Sequence, residues 1–361
     1  AIFLPRTRAF PDNTEVEAIV SYTGEQKLDD KGKPVSDILS TVVPDTNSVT
    51  VHLHHSFIRL PDDNYEPLPF DARSGMIGLS WDNGFIDYAA PIGEPIQLQY
   101  GRRHRLQKKD PQAEISEAVE PIIYYLDPGA PEPVRSALME GASWWNQAFE
   151  AAGYKDAFQV KLLPEGADPM DVRYNVIQWV HRSTRGWSYG SSIFDPRTGE
   201  ILKGHVTLGS LRVRQDYLIA EGLLAPYTQD QVPDTMLEMS LARIRQLSAH
   251  EIGHTLGFDH NFAASVNDRS SVMDYPFPLI RFDANGQLDL SDAYGVGIGE
   301  WDKRTVLYAY QDFPEELDDA AARKKILEET IAQGFLFVAD EDSRDPGTAN
   351  PLGNLCLLYT S

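Results

Sequence analysis

Cysteine is almost missing from this chain: its 361 residues include one, Cys356. A single thiol cannot build a disulfide framework. It opens the hexapeptide Cys356-Leu-Leu-Tyr-Thr-Ser361, which TGT-CTC-TTA-TAC-ACA-TCT encodes, a DNA string that matches a transposon end used as a sequencing adapter. Residues 356–361 are therefore expected to be a non-native tail, leaving the native segment without any thiol nucleophile. An initiator methionine is also lacking, so the chain is expected to begin inside a longer protein or after processing, and a missing signal peptide carries no information. Positive charge is scarce: 32 Lys and Arg stand against 54 Asp and Glu, a net charge of −22. That balance argues against nucleic acid and anionic membranes as partners, since both attract basic patches. No apolar run reaches the length of a membrane span, and there is no internal repeat.

What is present is an ordinary globular composition, 42% hydrophobic and 10% aromatic, long enough for two domains with sizeable cores. Within it, residues 250–260 read His-Glu-Ile-Gly-His-Thr-Leu-Gly-Phe-Asp-His, an uninterrupted HExxHxxGxxH. His250 and His254 are four apart and share one helix face, where two imidazoles can hold one zinc ion. Glu251 beside them can reach a water on that ion and act as general base. Gly257 permits positive φ, so the chain can leave the helix and return His260 as a third ligand. Three protein ligands leave one position open, the arrangement of a catalytic zinc. By composition arithmetic a chance match of this string in such a chain arises roughly once in tens of thousands.

Downstream lies Ser271-Val272-Met273-Asp274-Tyr275. With this second element the chain resembles the metzincins, zinc metallopeptidases with HExxHxxGxxH and a tight turn carrying Met beneath the metal. The resemblance makes Met273 the methionine of that turn and Tyr275 a stabiliser of the oxyanion. Asn261, the residue after the third histidine, is not the one usual in astacins, adamalysins, serralysins or matrix metallopeptidases. The run from Ala249 to Ser265, with Ser-Val-Met-Asp-Tyr-Pro after it, is most similar to the bacterial Met-zincin family over about residues 121–345. That likeness implies a zinc endopeptidase located outside the cytoplasm, with a β-rich region before the peptidase domain. It implies no cleavage preference. Loss of a ligand or of Glu251 would mark a peptide-binding scaffold that no longer cleaves, and none is lost; hydrolysis of a non-peptide amide stays open. Acidic residues are many, but no stretch has the spacing of a calcium loop, so Ca2+ is weakly supported.

The expected fold class is α+β: a twisted mixed sheet with a backing helix, an active-site helix and a small lower subdomain, preceded by a mostly β region. Residues 1–107 hold strand candidates at 17–22, 49–54, 75–79, 85–88 and 95–100, separated by turn residues. His52 and His54 are expected on a solvated strand face, and His55 carries no metal signal. Basic residues 101–110 suggest a connector, with 108–120 as linker and 121–355 as the peptidase domain. There, 121–126, 158–163 and 175–181 are strands, and 186–210 a hairpin turning at 195–199. His205 is expected to be structural or at the rim. One helix follows Pro133 and closes at Gly153; another starts from Pro233, with Thr235 and Glu238 as a capping box, and runs to about Leu256. Residues 299–310 and 315–333 read as helices, and those past about 336 as polar, Pro/Gly-containing and poorly ordered if their partners are missing. An exposed hairpin strand above the zinc is expected to bind an extended peptide or protein substrate.

Overall fold

The computed structural model describes residues 1–23, 30, 31, 33, 43–79, 86–182, 187–224, 234–340 and 342. They fall into two compact units, one of residues 1–61 with 168–173, the other of 62–167 with 174–361. In the first unit, β1 (Arg8–Ala9) pairs with β2 (Asn13–Tyr22), which pairs antiparallel with β3 (Val49–Ile58) along its whole length. The Asn13 side chain holds residues 168–173 to this sheet: its Nδ2 donates to the Met170 carbonyl at 2.9 Å and its Oδ1 accepts from Val172 N–H at 3.0 Å. His52 and His54 lie on an exposed strand face, as expected. They sit diagonally across from Glu17 and Glu15 and bond those buried carboxylates.

The second unit is built on a six-stranded mixed sheet. Its strands are β4 (Arg103–His104), β5 (Ile122–Leu126), β6 (Phe158–Leu162), β7 (Asn175–Val180), β8 (Tyr189–Phe194) and β9 (Glu200–Gly209). The order is β6-β5-β7-β9-β8, with β4 also on β9; all pairings are parallel except β8 with β9, which puts an antiparallel strand at the edge. Strand β9 buries seven of its ten residues, as a central parallel strand covered on both faces requires.

The backing helix is split by Trp144 into α1 (Val134–Ser143) and α2 (Trp145–Ala151). Val134, Leu138, Gly141, Trp145 and Phe149, spaced by three and four, still form one buried stripe. That stripe seats α4 (Asp234–Thr255), the helix of the histidine motif; α3 (Leu211–Leu224) precedes it. A Cβ on Gly141 would stand 2.0 Å from the Arg245 carbonyl oxygen, so only glycine allows this helix approach. Ser248 Oγ then donates to the Leu138 carbonyl at 2.8 Å, and Trp145 Nε1 to the Ala249 carbonyl at 2.7 Å. Phe149 stacks on Phe158 at 5.8 Å, and Trp145 on Phe258 at 5.4 Å. Each such buried ring contributes roughly 2–3 kcal/mol through lost apolar surface. Helices α5 (Glu300–Tyr310) and α6 (Asp319–Ala332) complete the unit.

Several expectations shift. Packing divides the chain after residue 61, whereas the composition changes near 107, because residues 62–107 pack with the sheet and α4. Residues 75–79 and 95–100 form isolated bridges and short pairs rather than full strands: Met76 bridges to Phe258, and Ile77 N–H donates to the Gly257 carbonyl at 2.8 Å. The basic connector is ordered structure too. Arg105 grips Glu200 with two bonds of 2.8 and 3.0 Å, and Lys108 is 4% exposed. Thr235 lies inside α4, one residue past its first described position, and Pro233, Phe85 and Gly186 lie outside the described residues, as do 356–361. Helix α6 starts at Asp319 on an Asp318 cap, four residues later than expected. His205 is structural, bonding Gln178 at 3.1 Å. Among the described residues no helix is long and apolar enough to cross a membrane.

Candidate active site

Helix α4 ends where the sequence asks it to turn. Gly257 has φ +95°, its N–H donates to the His254 carbonyl, and Phe258 N–H reaches back to Gly253 at 3.0 Å. These two bonds make a Schellman stop. The glycine is required twice over, since a Cβ there would stand 1.9 Å from the Arg102 carbonyl oxygen. The turn swings His260 back to the helix, and one ring nitrogen of each of His250, His254 and His260 comes within 4.8 Å of the others.

Each imidazole is oriented from behind. His250 Nδ1 donates to the Val272 carbonyl at 2.8 Å and His254 Nδ1 to the Phe258 carbonyl at 2.9 Å, while His260 Nδ1 donates to the Asp340 carboxylate. With the protons on Nδ1, all three Nε2 atoms present lone pairs to one point. His254 Nε2 and His260 Nε2 are 3.1 Å apart: two acceptors face each other, an arrangement that a cation between them relieves. Tetrahedral zinc with bonds of about 2.0–2.1 Å spaces its ligands about 3.3 Å apart, so the donor set and spacing fit that ion. Burial, followed by repulsion from the neighbouring imidazoles, holds His250 well below its ordinary pKa and His254 at about 4. Both are thus neutral, the ligating form, at pH 7.

Beneath the histidines runs the turn of Ser271–Tyr275. Met273 is fully buried, and a Cβ on Gly253 would stand 2.2 Å from its sulfur, so Gly253 lets the methionine press against α4. Asp302 on α5 fixes this turn by accepting from Ser271 Oγ at 2.6 Å, Val272 N–H at 2.8 Å and Gly299 N–H at 2.9 Å. Burial pushes Asp302 up to about 7 although all three donors pull it down. Tyr275 Oη lies 2.7 Å from His260 Nε2 and donates to it.

Glu251 is 5% exposed. Burial pushes it up to about 7, against the pull of Arg243, the Gly190 N–H and His260. Gly190 belongs to edge strand β8, and a Cβ there would stand 2.0 Å from the Glu251 carbonyl oxygen. The missing side chain is what lets strand and helix meet.

Sequence reasoning thus names the residues brought together here: His250, His254, His260, Glu251, Gly257, Met273 and Tyr275. It misses Gly190, Asp302 and Asp340, which hold them. One signal was visible. Asn261, unusual after a third histidine, is fully buried and works as a clamp: its Nδ2 donates to the Leu336 carbonyl at 2.9 Å and its Oδ1 accepts from Val338 N–H at 3.2 Å. Phe262 N–H adds a bond to the Val338 carbonyl at 2.9 Å. Residues 336–340 are therefore a strap, held by these partners, that delivers Asp340 to His260.

Residues 1–109 match the family model of a domain of unknown function (DUF5117). No curated protein and no solved structure matches the chain. Residues 233–355, which hold α4, the histidines, the methionine turn and the strap, match the Met-zincin family model.

Proposed function

We propose that this chain is a zinc-dependent endopeptidase, with His250, His254 and His260 as metal ligands and Glu251 as general base. The observation that carries the reading is the convergence of three Nε2 lone pairs beside a buried carboxylate that, among the described residues, has no cation in ion-pair contact. Zinc bound there supplies a Lewis acid that polarises a carbonyl and makes water acidic enough to ionise near pH 7. Glu251 takes a proton from that water on a carboxylate oxygen and delivers it to the leaving amide nitrogen. Burial suits it to both tasks, because a carboxylate with a pKa near 7 accepts and releases a proton at neutral pH. The lone pair of His260 that Tyr275 Oη bonds is the one a metal needs, so the hydroxyl is freed to donate to the developing oxyanion.

The substrate fits edge strand β8. Its partner β9 lies on one side only, so its other edge offers main-chain N–H and C=O groups to an extended peptide. The test is digestion of an unfolded protein mixture by zinc-loaded chain, beside Glu251→Ala at equal zinc content. Cleavage by the first alone is expected. Equal cleavage by both, or none by either with one zinc per chain, refutes the reading.

A further inference from the structure

A cavity of about 320 Å³ opens beside Glu251 and Tyr275. Its wall carries Arg182, Arg212 and Arg243, with Trp187, Gln215 and Leu247 between them, and among the described residues Glu251 is the only acidic one that lines it. Three guanidinium groups around one small space stand out in a chain of net charge −22. They are not equally satisfied. Arg212 spends its fork on the fully buried Asp216, through bonds of 3.1 and 2.6 Å. Arg182 donates to neutral acceptors, the Trp187 carbonyl at 3.2 Å and Tyr189 Oη at 3.3 Å. Arg243 is 7% exposed; it donates to Gln246 Oε1 and lies over the Tyr294 ring at 5.8 Å. Among the described residues, neither Arg182 nor Arg243 has a carboxylate within the 4.0 Å of an ion pair.

A buried guanidinium with no carboxylate in ion-pair contact, as Arg243 is beside the more distant charges of Asp216 and Glu251, is costly to keep, and the cost falls when a ligand brings the negative charge into contact. Its planar fork matches a carboxylate with two parallel bonds. Leu247 and Trp187 add apolar wall for the methylene groups that carry such a carboxylate. Lysine or arginine side chains would meet like charge.

Resting on the endopeptidase reading, we infer that this cavity is a specificity pocket for an acidic side chain, Asp or Glu, on the substrate residue next to the scissile bond. The chain as a whole repels acidic peptides, so recognition is local, held by Arg182 and Arg243, and weakened by salt.

Two measurements test this separately from the peptidase reading. The first maps cut sites in a peptide library digested by zinc-loaded chain. Asp and Glu are expected at one of the two positions flanking the cut, favoured about 10-fold over Gln and Asn. Arg182→Gln, which breaks only bonds to neutral partners, is expected to pull that acid-to-amide ratio towards one. The second measures fluorescence anisotropy of labelled hexapeptides carrying Glu, Gln or Lys at either central position, on zinc-free chain at low and high salt. The Glu peptide is expected to bind about 10-fold tighter than its Gln partner, and the difference to shrink in high salt. Cleavage without acidic preference, or binding that ranks Gln or Lys level with Glu, overturns the pocket and spares the peptidase. Acid-selective binding without any cleavage supports the pocket and sinks the peptidase.

Discussion

Buried carboxylates occur in both units, in opposite company. In the first unit Glu15 and Glu17 are 3% and 4% exposed, and the same unit supplies the partners: Ser56, Asn13 and His54 from the sheet for one, His52 from the sheet and Arg6 from the short helical turn before it for the other. In the second, Glu251 is about as buried, yet among the described residues its donor is the Gly190 backbone, and Arg243, whose charge it feels, is not in ion-pair contact. The distinction is not between units as such. Asp302 also belongs to the second and is held by three donors. A buried polar group whose partners are all internal fixes a fold; one whose capacity is left over, beside others like it, is addressed to something that arrives.

Breaking the comparison at its sharpest point gives the largest effect. His254→Ala removes one of three converging lone pairs, and zinc content by elemental analysis is expected to fall to background, with turnover lost by about 10³-fold or more. Next in size is a pH effect on a group that is buried but not addressed to a ligand. His104 on β4 bonds the Thr255 carbonyl and Tyr124 Oη, both at 3.1 Å, and burial lowers it to about 4. Its folded pKa is depressed below the unfolded value of about 6.5, so the unfolded chain binds the proton more tightly. Stability is then full above pH 6.5 and lost as pH falls towards 4, by up to about 3 kcal/mol. Urea melts across that window are expected to be steeper in pH for the native chain than for His104→Gln; parallel curves would remove His104 from the account.

Asp340 sharpens the contrast from the ligand side. Asp340→Ala leaves His260 in place without its orienting carboxylate, and zinc affinity by competitive chelator titration is expected to drop 10- to 100-fold. An unchanged affinity would reduce the strap to packing. The smallest effect belongs to the first unit: His54→Ala leaves Glu15 with Ser56 and Asn13, so a stability cost of about 1 kcal/mol and an unchanged zinc affinity are expected from thermal melts and the same titration.

The parts of this site legible in sequence are those made by neighbours in the chain. Two histidines one turn apart, a glycine that must take positive φ and a methionine a dozen residues on are local facts, and the helix and turn follow from them. Gly190, Asp302 and Asp340 lie 61 residues before Glu251, 31 after Ser271 and 80 after His260. Each is chosen for what the fold brings beside it, which one sequence does not record. The misread strands at 75–79 and 95–100 have a different cause. Alternation shows that a segment is extended, but a single bridge and a full ladder leave the same pattern. Basic residues 101–110 misled because Arg105 and Lys108 are committed to internal acceptors rather than solvent.

The strap also sets an order of events in synthesis. His250 and His254 can share a helix as soon as α4 forms, but the carboxylate that orients His260 is added 80 residues later. Until then the third imidazole lacks the carboxylate that bonds its Nδ1 and is held only by Tyr275 and its ring neighbours. On the proposed zinc site, tight metal capture belongs to the end of this domain's assembly rather than its beginning, and a cut in the chain between α6 and Asp340 is expected to loosen the metal without touching any proposed ligand.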